Sequence, residues 1–194
     1  MARRTNTKKF QSPTPVIIGA GITEQWYFTY LQNLLNLRIR IRPRFFGTED
    51  IHELDKRITQ VIREGAIAVC VFDTDTTKYS ETEAKKVESL KRKYADKKNV
   101  VLCDSLPSME YWFLIHYEDT NRLFANSHAA EIALRSHIVS YEKKEIFLKN
   151  AKWVADMISG GKMDNAIARA KAYESVEGSY SRVYKAVELL KGKL

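Results

Sequence analysis

The sequence predicts an α/β protein with a doubly wound parallel sheet and a C-terminal α-helical extension. Short apolar runs alternate with amphipathic segments in the first half of the chain, as in parallel sheets whose strands are joined by helices. From about Asp119 onward the pattern is helical, with glycines 160, 161 and 178 as breaks. We therefore expect a basic, disordered arm over residues 1–13, an α/β domain over 14–118, and a helical extension over 119–194 packed on the same core.

Four strands and four helices are predicted for the α/β half. Short runs of branched apolar residues, or alternation of apolar and charged residues, predict the strands Val16–Ile18, Arg38–Arg44, Ile67–Phe72 and Asn99–Cys103. Apolar residues at helical spacing, with capping or stop signals, predict helices over Thr23–Leu35, from Thr48 to Gly65, from Ser80 to about Asp96, and over Met109–His116.

Composition limits the function classes. The 194 residues are 44% hydrophobic and 29% charged, which is ordinary for a globular protein. A net charge of +8 favours an anionic partner, and nucleic acid is the leading candidate. No run is long and apolar enough to span a membrane, and the basic start lacks the hydrophobic segment of a signal peptide. We therefore expect a cytoplasmic protein with no membrane partner, and buried, reduced thiols at Cys70 and Cys103.

Acidic residues follow the first and third predicted strands. Glu24 comes shortly after the first strand, and Asp73 and Asp75 come directly after the third. Because parallel strands with right-handed crossovers end at one edge of the sheet, we expect these residues to meet there, with Glu110 nearby. Carboxylates are the ligands of Mg²⁺ and Mn²⁺, which can activate water for phosphodiester cleavage. A D-x-D pair alone is a weak signal, since many such pairs lie in solvated loops.

Three sequence blocks resemble a known family. Gly21–Phe28 (GITEQWYF) resembles the E-G-x-x-T-E-x-x-Y-F opening of the RloB-like family, within the wider Toprim group of topoisomerases, primases and OLD-type nucleases. Val71–Asp75 (VFDTD) resembles its D-x-D motif, and Ser105–His116 (SLPSMEYWFLIH) resembles its S-x-P-S-F-E-x-W-F-L-L-H signature. The blocks occur in the family's order and span residues 16–117. The helical tail resembles the family only loosely, mainly at Ser181–Lys185.

The resemblance implies a Toprim fold and a metal-dependent nuclease acting on RNA, including transfer RNA, or on DNA, in bacterial defence against phage. It implies Mg²⁺ or Mn²⁺ bound by Glu24, Asp73 and Asp75. Glu24 and Glu110 would be the catalytic carboxylates, with Glu110 at the rim of the site. Thr23 and Ser105 would orient ligands or phosphates. An ABC-type or OLD-like ATPase is the implied partner, and a homo-oligomer is left open.

Ala20 departs from the family pattern, which has a glutamate directly before Gly21. A methyl group can neither bind metal nor transfer a proton, so metal affinity and turnover should both fall. Three explanations compete: an engineered inactivating change, a natural pseudo-enzyme, or a site in which Glu24 suffices with a displaced metal. The other motif residues are intact, which favours the first. The alternative function is a non-catalytic Toprim-like module that binds nucleic acid or docks on an ATPase.

Basic residues supply a second, weaker signal. Arg38, Arg40, Arg42 and Arg44 alternate along one predicted strand, so they share a face that could bind phosphates. An equally good interpretation is an edge strand whose charges prevent edge-to-edge pairing. Lys143 and Lys144 give a weaker signal still. His116 is the histidine nearest the expected site, and packing explains it better than catalysis.

Overall fold

The computed structural model describes residues 13–19, 21–42 and 50–192. Ala20, Thr48, Arg44 and nearly all of the predicted basic arm lie outside the described residues. The strands are β1 (Pro15–Gly19), β2 (Arg40–Arg42), β3 (Ile67–Asp73), β4 (Val100–Leu106) and β5 (Tyr180–Ser181). The helices are α1 (Ile22–Leu35), α2 (Ile51–Arg63), α3 (Glu81–Tyr94), α4 (Met109–Leu114), α5 (Ser127–Arg135), α6 (Glu145–Leu148), α7 (Lys152–Ile158), α8 (Lys162–Tyr173) and α9 (Val183–Leu190).

The five strands form one sheet in the order β2-β1-β3-β4-β5. The pairs β1–β2, β1–β3 and β3–β4 are parallel, and β5 runs antiparallel to β4. The chain therefore winds in both directions from β1, as in a doubly wound sheet. This confirms the predicted fold class. Among the described residues, no helix is both long and apolar enough to cross a bilayer.

Helices cover both faces of the sheet because side chains alternate along each strand. Val16, Ile18 and Cys70 belong to the hydrophobic cluster that packs against α2 and α3. Ile17 and Val69 belong to the cluster on the opposite face, which also contains residues of α1, α4 and the helices of the C-terminal half. Both cysteines are buried and neither forms a disulfide, as predicted.

The predicted capping signal is confirmed for α3 but not for α2, which begins after Asp50 and not after the predicted Thr48. The Ser80 hydroxyl accepts a hydrogen bond from the Glu83 backbone N–H at 3.3 Å, as the capping box predicts. Helix α2 has Asp50 as its N-cap, and the side chain of Asp50 accepts from the backbone N–H of His52. Gly160 and Gly161 separate α7 from α8 with φ angles of 58° and 77°, in the left-handed region that glycine adopts most easily.

The C-terminal half shares its core with the sheet. Tyr141, Trp153 and Ala166 are buried in the same cluster as Ile17 and Val69. The division at residue 118 stays a prediction, because this shared core gives no separate boundary. Strand β5 was not predicted: two residues are too few to show a period, and their place in the sheet depends on pairing with Ser105 and Leu106.

Candidate acidic site at the carboxyl edge of the sheet

Acidic side chains from three elements lie at the edge where β1, β3 and β4 end. Asp73 is the last residue of β3, Glu24 lies in the first turn of α1, and Glu110 lies in the first turn of α4. The parallel order β1-β3-β4 places the ends of these strands side by side. The sheet topology therefore brings together residues that are far apart in the sequence.

Two glycines at the end of β1 make room for the Glu24 side chain. A methyl group added at Gly21 would lie 2.4 Å from Oε2 of Glu24, and one added at Gly19 would lie 3.1 Å from its Cβ. Glu24 itself is 4% exposed. Gly19 and Gly21 thus allow close packing around a buried carboxylate.

Asp73 is the electrostatic centre of the site. Its Oδ1 accepts a hydrogen bond from the backbone N–H of Met109 at 2.9 Å, which ties the end of β3 to the start of α4. Burial raises the pKa of Asp73 well above its usual range, and the nearby carboxylates of Glu24 and Glu110 raise it further. Lys143 acts in the opposite direction. Glu24 and Glu110 are therefore close enough to Asp73 to disfavour its charged form.

Glu110 is buried, and the expectation that it lies at the rim is wrong. Its side chain is 1% exposed. Its Oε2 accepts from the Ser108 hydroxyl at 2.6 Å and from Lys143 Nζ at 2.8 Å, while its Oε1 accepts from the Tyr141 hydroxyl at 2.8 Å. The cause is the segment before α6, which covers the first turn of α4 and brings Tyr141 and Lys143 to the site.

Tyr141 and Lys143 were missed as site residues by sequence reasoning. Tyr141 is fully buried, and burial together with the Glu110 carboxylate raises the pKa of its hydroxyl well above the usual range. Burial lowers the pKa of Lys143, but the carboxylates of Glu110, Asp73 and Glu24 together outweigh burial, and the net shift is upward. Their spacing of two residues is compatible with side chains on one side of an extended segment. Nothing in the sequence indicates which surface that segment faces.

The predicted phosphate-orienting hydroxyls of Thr23 and Ser105 both point into the protein. Thr23 is 5% exposed and lies close enough to Tyr141 to influence the pKa of its hydroxyl. Ser105 is 1% exposed, and its hydroxyl lies 2.8 Å from that of Ser181 on β5. Direct contact between either hydroxyl and a phosphate is disfavoured in this arrangement. Both side chains instead connect the site to the helical half.

Asp75 lies beside a small acidic cleft. It begins a 3₁₀ turn over Asp75–Lys78 and makes a small contribution to the raised pKa of Asp73. The cleft has a volume of 200 Å³, and the carboxylates of Asp50, Asp73, Asp75 and Glu83 lie along it. A larger groove of 780 Å³ runs along β4 and α9, but none of these carboxylates lines it. Asp73 and Asp75 both border the small cleft.

The donors of the site fit a hard divalent cation in their chemistry. Carboxylate oxygens are the ligands that Mg²⁺ and Mn²⁺ prefer, and a cation would relieve the repulsion that raises the pKa of Asp73. Within residues 13–19, 21–42 and 50–192, however, no three His, Cys, Asp or Glu side chains are grouped so as to hold a metal ion. The carboxylates are thus gathered at one edge without forming a ready-made coordination shell.

The arginine row belongs to an edge strand. Strand β2 is the outermost strand on its side of the sheet. Arg38 and Arg40 are exposed, whereas Arg42 forms an ion pair with Glu64. Arg44 lies outside the described residues. The edge position agrees with the protective interpretation, and phosphate binding by Arg38 and Arg40 stays a prediction.

His116 is a packed residue. Its Nδ1 lies 2.8 Å from the carbonyl oxygen of Trp112, and its ring meets the Trp112 indole edge-on at 4.8 Å. Burial lowers the pKa of His116 to about 4, so the ring is neutral at pH 7. These contacts favour the packing interpretation over a catalytic one.

A comparison with protein families gives one match. The model of the family described as "RloB-like protein" matches residues 16–190, which include both the α/β half and most of the helical half. Searches of curated proteins and of solved structures gave no match.

Proposed function

Because the chain belongs to the RloB-like family, we propose that it has the scaffold of a metal-dependent nuclease that hydrolyses RNA, including transfer RNA, or DNA. The observation that carries the proposal is the convergence of Glu24, Asp73 and Glu110 at the carboxyl edge of the sheet, where burial and like charge raise the pKa of Asp73. Strongly perturbed acidic groups at such an edge are typical of functional sites.

In this proposal, Glu24, Asp73 and Asp75 hold Mg²⁺ or Mn²⁺. The ion would supply an activated water and stabilise the leaving oxygen of a phosphodiester. The Oδ1 atom of Asp73 accepts from the Met109 N–H, and its other carboxylate oxygen would be offered to the cation. Glu110 is fixed by three donors, so it acts by holding Lys143 and Tyr141 in place and by adding negative charge near Asp73.

Ala20 weakens or abolishes the activity of this chain in the same proposal. The family pattern has a glutamate there, and alanine offers no oxygen ligand and no titratable proton. The second candidate function is a non-catalytic module that binds nucleic acid or docks on an ATPase. Two observations favour it: Ala20 itself, and the lack of a three-residue metal group among the described residues.

The wider role rests on the family resemblance. We propose a toxic effector of a cytoplasmic anti-phage system whose ABC-type or OLD-like ATPase partner senses infection. The printed sequence contains no G-x-x-x-x-G-K-[ST] motif, so nucleotide hydrolysis falls to the partner.

The experiment compares this chain with its Ala20→Glu variant. Each is incubated with Mg²⁺ or Mn²⁺ and transfer RNA, single-stranded RNA or plasmid DNA, and the products are separated on gels. We expect metal-dependent cleavage by the Ala20→Glu variant that disappears when Asp73→Asn is added. Metal-independent nucleic-acid binding without cleavage in any variant would instead favour the binding module.

A further inference from the structure

Lys143 occupies an unusual position between a buried carboxylate and solvent. Its Nζ lies 2.8 Å from Oε2 of Glu110; the lysine side chain is 38% exposed, whereas that of Glu110 is 1% exposed. An ammonium group has three N–H donors. Glu110 takes one of them, and the open side of the lysine leaves donors available to a ligand oxygen.

The segment that carries Lys143 is anchored from the inside. The Tyr141 ring packs edge-on against Phe147 at 5.3 Å and against Phe113 at 6.2 Å. Its hydroxyl donates to Glu110, and its carbonyl oxygen accepts from Nε of Arg135 at 3.0 Å. Lys143 is therefore held at the site by a packed neighbour two residues away, which lowers the entropy lost when it binds a ligand.

Lys143 lies near other carboxylates of the site besides Glu110. The ammonium group is close enough to Asp73 and Glu24 for both carboxylates to raise its pKa. The part of the site that the structure describes thus places a positive donor beside the residues proposed to hold the cation. A phosphodiester bound there would present oxygens to both the cation and the lysine.

We propose that Lys143 binds a phosphate oxygen of the nucleic-acid substrate, so that the helical half supplies a substrate-binding residue to the acidic site. The assignment rests on the proposed function for its substrate class. It also means that the α/β half alone does not form the whole site. A lysine that contacts one phosphate contributes to affinity without regard to base sequence and to the salt dependence of binding.

Neighbouring Lys144 provides a matched control. It lies on the same segment with its side chain 72% exposed, and it pairs with Glu142 at 3.0 Å. Lys143→Gln removes the charge but keeps an amide donor for Glu110, and Lys143→Arg keeps the charge. Melting temperatures of Lys143→Gln, Lys143→Arg and Lys144→Gln establish that each variant is folded before binding is compared.

Binding is measured by fluorescence anisotropy with a short labelled single-stranded RNA and its DNA counterpart, in Ca²⁺ at several salt concentrations. We expect Lys143→Gln to weaken binding several-fold and to reduce the slope of log K against log salt by about 1. Lys144→Gln should leave both unchanged, and Lys143→Arg should restore most of the affinity.

Unchanged affinity and slope in Lys143→Gln would overturn the proposal and leave Lys143 as a structural counter-ion of Glu110. Equal losses of affinity in Lys143→Gln and Lys144→Gln would also overturn it, since the net positive charge of the protein would then explain both losses. If Lys143→Gln alone binds weakly while no variant cleaves, Ala20→Glu included, the lysine assignment stands and the nuclease proposal fails. No measurable binding by the parent chain would overturn the lysine assignment, and the nuclease proposal would still be decided separately by cleavage in the Ala20→Glu variant.

Discussion

Two buried carboxylates on neighbouring strands, Asp104 on β4 and Asp73 at the end of β3, differ in how their charge is balanced. Asp104 is 1% exposed and contacts Arg182 Nη1 at 2.9 Å and Lys91 Nζ at 2.7 Å. Burial would raise its pKa, but these two cations outweigh burial and hold the pKa below its usual range. Asp73 lies among other carboxylates instead, and burial together with Glu24 and Glu110 raises its pKa.

The difference distinguishes a structural ion cluster from the proposed functional one. Asp104 and Arg182 join β4 to the start of α9, so their charges match and fasten the C-terminal segment to the sheet. The acidic edge around Asp73 carries more negative than positive charge among the described residues, which costs stability unless a cation binds. Proteins commonly accept such a cost at functional sites. Four substitutions test this contrast.

Arg182→Met should give the largest loss of stability. It leaves the buried Asp104 with Lys91 as its remaining cationic contact and removes the ion pair with Glu174. We expect a loss of about 3 kcal/mol in the free energy of unfolding, measured in urea. Lys85→Met, which breaks an exposed pair with Glu81, is the control and should change little. Equal losses in the two variants would contradict a structural role for the Asp104 cluster.

Tyr141→Phe should lower the free energy of unfolding by less than Arg182→Met does. The substitution removes the hydroxyl that donates to Oε1 of the buried Glu110 and keeps the packed ring. A lost hydrogen bond to a buried charge is worth about 2 kcal/mol. Tyr79→Phe removes a hydroxyl that donates to the Ala125 carbonyl from a ring that is 73% exposed, and it should have a smaller effect. The melting temperatures of both variants, measured by thermal unfolding, give the comparison.

Glu174→Gln should have a smaller, pH-dependent effect. Burial would raise the pKa of Glu174, but hydrogen bonds from Lys185, Tyr184 and Arg182 outweigh it and lower the pKa to about 2. A carboxylate with a depressed folded pKa stabilises the protein above its unfolded pKa, and this stability is lost as the pH falls through the folded value. We expect the variant to be less stable by about 1 kcal/mol at pH 7.

The measurement follows the difference in melting temperature between parent and Glu174→Gln as the pH is lowered from 7. The difference should shrink between about pH 4.5 and pH 2. A difference that stays constant through this window would mean that hydrogen-bond geometry, and not charge, accounts for the effect.

The sequence predicted the sheet and its acidic edge because both depend on local patterns. Strands β1 and β3 are unbroken apolar runs, and the rule that parallel strands end at one edge places Glu24, Asp73 and Glu110 together without further information. The burial of the Glu110 side chain could not be predicted from these local patterns. It depends on a segment more than 20 residues further along the chain that folds over α4.

The contribution of the helical half was missed for the same reason. Lys143 looked like one basic residue among many, and its ion pair with Glu110 forms in a segment whose Tyr141 ring packs against Phe113 and Phe147. Strand β5 depends on pairing between residues 76 positions apart, Ser105 and Ser181. Long-range contacts of this kind leave no period in the sequence, so local patterns do not reveal them.

Asp73→Asn should have the smallest effect on stability and the opposite sign. It removes one of the mutually repelling charges but keeps an oxygen that can accept from the Met109 N–H. In the absence of divalent metal we expect a gain of about 0.5–1 kcal/mol at pH 7, together with loss of any cleavage in the Ala20→Glu background. Asp164→Asn, at a carboxylate that is 72% exposed, is the control and should change neither property. A lower melting temperature for Asp73→Asn than for its parent would show that the Asp73 charge is balanced in the folded protein, as that of Asp104 is, and the contrast between the two clusters would then be lost.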